Sequence, residues 1–172
     1  TMKKHLPLLV FILSIYNLSA QNLIVNGDFE SGGNGVGFIT DGAGYSELLA
    51  PFSGTTVSGN FALATNPISV NSSIFINAGD HTTGSGKMLI VDGNTTAGSP
   101  RFWKAGNAGS GICGLTIGTS YTFSYWVKSI STTVTNASTQ AGIGISFTGA
   151  GTIVPIPFSS VVPLPASGWK QV

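Results

Sequence analysis

Six carboxylates serve a chain of 172 residues, and two of them, Asp28 and Glu30, stand one residue apart in "NGDFESGG". On an extended strand residues i and i+2 point the same way, so both side chains can reach one cation. Ca²⁺ suits such a pair, because it gathers six to eight oxygens from carboxylates and from the carbonyls of glycine-rich loops. The competing reading is an ordinary turn after Gly27, with Asp28 closing hydrogen bonds and Glu30 solvated.

A second stretch, "GDHTTGSGK" at residues 79–87, holds Asp80 and His81, the latter the only histidine after His5. One imidazole cannot build a multi-histidine zinc site, and the single cysteine, Cys113, adds little to it. No Gly-x-Ser-x-Gly elbow surrounds any serine, so a Ser/His/Asp triad has no local support. The loop reads as an Asx-type turn, with Thr82 and Thr83 closing hydrogen bonds before a strand that begins at Lys87.

"GSGICG" at residues 109–114 has the form Gly-x-Gly-x-x-Gly, yet it leads into "LTIGTSYTF", a turn and a strand. A dinucleotide loop needs a helix there, whose N-terminus takes the pyrophosphate. The segment is therefore a loop, and Cys113 a partly buried small residue instead of a nucleophile. Glycoside hydrolysis would need two carboxylates facing across a cleft. Asp28, Glu30, Asp41, Glu47, Asp80 and Asp92 all sit in or beside glycine-rich loops with no pair set apart. No catalytic residue is assigned, and the chain is not expected to be an enzyme.

Sugar binding asks for less: an aromatic face against the apolar face of a pyranose, and a few polar groups to fix hydroxyls. Trp126 and Trp103, with Arg101 and Lys128 beside them, can supply that. Each tryptophan has the alternative of packing in a core, since aromatic burial is strongly stabilising, and Trp169 is read as core outright.

The elements that would hold these groups begin after a leader. Lys3 and Lys4 followed by the apolar "LPLLVFILSI" and by Ala20 form a secretory signal, residues 1–20, with cleavage expected before Gln21. The run is too short for a transmembrane helix. Beyond it five Lys/Arg face six Asp/Glu, about −1, and no basic patch is left to grip nucleic acid. The remaining 152 residues (172 less 20) suit one domain, residues 21–172. With one cysteine there is no internal disulfide, so stability must come from a packed core. Thr1 precedes Met2, and "SGWKQV" ends as a strand opens, so the last strand is expected to be incomplete.

Gly, Pro, Thr and Asn interrupt every helical window. Short β-type runs recur instead: "NLIVN", "GFIT", "YSELL", "FALAT", "SSIFIN", "KMLIVDG", "RFWKA", "SYTFSYWVK", "AGIGISF", "GTIVPIPF" and "WKQV". Their spacing predicts an antiparallel sandwich or barrel. Along residues 120–128, Tyr121, Phe123, Tyr125 and Val127 share one face, predicted to be core. Pro155 and Pro157 make the strand at 152–158 an edge or a broken strand.

In the order "NLIVNGDFESG", "DHTTGSGKMLIVDGN", "GTSYTFSYWVKS" and "GWKQV", the chain resembles the galactose-binding-like, jelly-roll β-sandwich domains of carbohydrate-binding modules, especially those in secreted and cell-surface proteins of Bacteroidota. The resemblance spans residues 22–172. It implies two packed antiparallel sheets, a glycan or polysaccharide partner or an adhesive role, and further domains in the same exported protein. It also implies a structural Ca²⁺ on Asp28 and Glu30, with Asp80 as a loop donor. The two other readings are a structural spacer without its own ligand and an ancillary domain of a secreted glycoside hydrolase.

Overall fold

The computed structural model describes residues 22–40, 44–94, 101–106, 109–133, 142–149, 152–161 and 165–172. The expected leader and its cleavage point lie outside these residues.

At the centre stands a three-stranded sheet of β2 (Ser46–Leu48), β3 (Asn60–Ala64) and β4 (Met88–Val91). Antiparallel pairing sets Phe61 opposite Val91, Ala62 opposite Ile90 and Ala64 opposite Met88. Alternation then sends Ala62, Ala64, Met88 and Ile90 to one cluster, which also contains Val70 and Phe75. Phe61 joins Phe38 and Tyr45 in a second cluster, with Leu89 and Val91 packed against it. A sheet buried on both faces needs apolar residues at successive positions, which is why "FALA" and "MLIV" are continuous runs.

The remaining strands form three two-stranded pairs. The strand β1 (Phe38–Ile39) runs antiparallel to β5 (Lys104–Ala105), and β6 (Trp126–Val127) antiparallel to β9 (Lys170–Gln171). The strand β7 (Gly142–Gly149) pairs with β8 (Thr152–Val161), with a register irregularity between Ile143 and Ile145. Among the described residues β8 has this one neighbour, in keeping with an edge strand that carries Pro155 and Pro157. The fold is all-β in class, with very little helix. Among the described residues no helix is long and apolar enough to cross a membrane.

Several expectations need correction. The pairing is not antiparallel throughout, because β2 runs parallel to β3, with Ser46 opposite Asn60. The connection between them, residues 49–59, is long enough to return the chain to the same end, as parallel strands require. "NLIVN" is not a strand: it leads into a turn in which Asn26 and Phe29 take positive φ of 54° and 63°. The Asn26 side chain holds that turn, donating to the Gly32 and Val36 carbonyls at 2.8 and 2.7 Å and accepting from the Ser31 N–H at 2.9 Å. "SSIFIN" contributes a single bridge, Phe75 with Ser131, because the Asn71 side chain bends the chain by accepting from the Ser73 N–H and hydroxyl. One helical turn, α1 (Pro67–Val70), was not expected. Its signals stand in the sequence: Asn66 caps the Ile68 N–H at 3.2 Å, and Pro67 sits where a missing N–H costs nothing.

The predicted strand at 120–128 shortens to β6, although the burial alternation survives. Val127 is buried and Phe123 and Tyr125 half-buried, whereas Thr122 and Ser124 are exposed. Tyr121 departs from the predicted core face: it is exposed, with its hydroxyl accepting from the Thr116 N–H at 2.8 Å. The ladder reaches no further back than Tyr125, which exchanges hydrogen bonds of 3.0 and 2.9 Å with Val172.

Candidate functional site

The loop before β4 is organised by one carboxylate. Asp80 Oδ2 accepts from the N–H groups of Thr82 and Thr83, each at 2.8 Å. Its Oδ1 accepts from the Thr83 hydroxyl at 2.8 Å and the Gly86 N–H at 2.7 Å. This is the Asx-type turn expected from the sequence, closed by one further donor at Gly86. The Thr83 N–H above all holds the Asp80 carboxyl well below its ordinary range; desolvation opposes this, and the Thr83 hydroxyl and the Gly86 and Thr82 N–H groups reinforce it. Tight closure also dictates Gly79, where a Cβ would overlap the Gly84 carbonyl.

Held in this way, the loop presents His81 to the β6/β9 pair. The imidazole stacks on the Trp126 indole with ring centroids 3.5 Å apart and planes 14° from parallel. Trp169, just before β9, meets His81 edge-on at 6.1 Å and 83°. The pairing of Trp126 with Gln171 is what sets the two tryptophans beside one imidazole. Trp126 remains 42% exposed, whereas Trp169 is half-buried and packs against the first core cluster. Lys128 follows Trp126 and is half-buried, and the exposed Lys170 pairs with Val127.

The other two sugar-binding candidates lie apart from this corner. Trp103 is half-buried against the cluster of Phe38, Tyr45 and Phe61, its ring 6.3 Å from Phe123. Arg101, two residues earlier, is exposed. Trp103 thus takes the packing role, and Trp126 the exposed one. His81 is the residue that sequence reasoning did not place in the site. Nothing in its spacing points to Trp126, since the contact depends on how the loop at 79–87 folds over β6.

The residues considered for calcium are engaged otherwise. Asp28 Oδ1 accepts from the Glu30 N–H at 3.3 Å, within the turn that replaces the predicted strand. Glu30 reaches across to β4: its Oε1 accepts from the Lys87 N–H at 2.5 Å, and its carbonyl accepts from Lys87 Nζ at 3.1 Å. A Cβ on Gly86 would lie 2.5 Å from Glu30 Oε1, so a side chain there would make the Glu30 carboxylate shift. An ionised carboxylate has about four acceptor positions, and on Asp80 four donors occupy them. Asp80 therefore does not fit a calcium ligand. Among the described residues no three His, Cys, Asp or Glu side chains converge as a metal would need.

Cys113 is a free thiol and exposed, not partly buried as expected, because the loop around it packs against little: residues 113–122 are all exposed. A cavity of about 320 Å³ lies beside it, lined by Leu23, Ile24, Val25, Ala105 and Ile112 and by no charged side chain. Compared with protein-family models, curated proteins and solved structures, the chain matches none.

Proposed function

We propose that this chain is a non-catalytic carbohydrate-binding or adhesion module of jelly-roll, galactose-binding-like type, carried by an exported, cell-surface or secreted multidomain protein. The observation that supports the reading best is Trp126: a large indole left 42% exposed on a short strand, in a chain whose other tryptophans are half-buried. Burying such a ring would be strongly favourable, and a partly exposed flat aromatic surface, with Lys128 two residues on along the same strand face, is what a pyranose face and its hydroxyls can use.

The spacer reading is favoured by Trp103, which serves the core. A polysaccharide affinity gel or glycan array separates the two. Retention is expected to weaken about tenfold in Trp126→Ala, the scale of a lost aromatic stack, with the melting temperature little changed. Wild-type protein that binds no glycan overturns the binding reading and leaves the spacer.

A further inference from the structure

Trp126 is exposed, yet one of its faces is already taken by His81 at 3.5 Å. We propose that His81 is a displaceable cover on the Trp126 ring, so that a glycan stacks on this face only after the imidazole swings away. The inference rests on the carbohydrate-binding reading above and adds to it the residue that sets affinity.

Two features make the cover separable from its support. The backbone around His81 is fixed by the four hydrogen bonds to Asp80, on which the imidazole plays no part. The ring itself is exposed, and its nitrogens make no hydrogen bond among the described residues, so aromatic contacts with Trp126 and Trp169 hold it. Rotation about the His81 side-chain bonds therefore uncovers the indole without moving the loop. Rotamer changes of exposed side chains take picoseconds to nanoseconds, so the cover limits affinity and not the rate of access. Apparent affinity falls in proportion to the uncovered fraction. Stacked aromatic pairs have strengths that leave this fraction between roughly 7% and 30%.

The test compares wild type with His81→Ala and His81→Phe, using a polysaccharide retained by the wild-type protein, and maps N-bromosuccinimide oxidation of each tryptophan by mass spectrometry. His81→Ala is expected to bind about three- to fourteenfold more tightly and to oxidise faster at Trp126 and not at Trp103. His81→Phe, which keeps a flat ring, should stay close to wild type in both. Weaker or unchanged binding in His81→Ala overturns the proposal, as does an unchanged Trp126 oxidation rate. Faster oxidation with no glycan retained by any of the three proteins overturns the glycan reading, and the gate with it, while the covering contact itself stands as measured.

Discussion

Because the Asp80 carboxylate accepts from four donors within its own loop, the loop is built around the ionised side chain. The folded state therefore holds this carboxyl below the 3.8 of an unperturbed aspartate. A lowered folded value means that the unfolded chain binds the proton first as pH falls. The stabilisation is then complete above 3.8 and drains away as the solution is taken through that value into stronger acid. Asp80→Asn retains one acceptor oxygen but lacks the charge, so it should melt lower than wild type near neutrality. The gap between the two should narrow as the pH of thermal melts is lowered from about 5 to about 2. A gap that stays constant over that range would show the charge to be irrelevant. His81 and Trp126 depend on this same carboxylate, since the turn it closes is what carries the imidazole to the indole.

Among the elements, β3 carries the fold, because its two faces feed two different clusters. Phe61 is 1% exposed and meets Phe38 edge-on with ring centroids 6.4 Å apart, while Ala62 and Ala64 admit the larger Ile90 and Met88 opposite them. Phe61→Ala is expected to cost about 3–5 kcal/mol, a large share of the stability of any single domain. Leu48→Ala on the half-buried β2 should cost visibly less in the same denaturant titration, and equal losses would refute a central role for β3. The same strand shows what could be read in advance. "FALAT" and "KMLIVDG" announce themselves through unbroken apolar runs, and their pairing follows from burial on both sides. "NLIVN" carries the same kind of signal but yields to Asn26, whose side chain satisfies three backbone groups of a turn. β-propensity is a weak preference against such local capture. Likewise Trp126 was legible as a candidate with core packing as its alternative, whereas its partner His81 was not, because loop closure joins residues 45 positions apart.

At the scale of the whole molecule, the question is what fastens the N-terminal turns to the sheet. A calcium ion shared by Asp28, Glu30 and Asp80 would do so, but Asp80 has no acceptor position left and Asp28 turns back on its own segment. One direct fastening runs through Glu30, which spans 57 positions of sequence to accept from the Lys87 N–H while its carbonyl takes Lys87 Nζ, beside a second in which Glu47 of β2 accepts from the Asn34 N–H at 3.0 Å. Such a link closes a long loop, and as a solvent-exposed contact it contributes on the order of 1 kcal/mol. A carboxylate-to-backbone clamp needs no metal, so the melting temperature should be the same in excess chelator as in millimolar calcium. Ligand binding to the folded state would otherwise raise it by mass action. Glu30→Ala should lower the melting temperature equally in both buffers, and Glu30→Gln, which keeps an oxygen for the Lys87 N–H, should recover most of the loss. If calcium instead stabilises the wild type and the increment disappears in Glu30→Ala, then Glu30 is a metal ligand and the direct clamp is not what joins the two ends of this core.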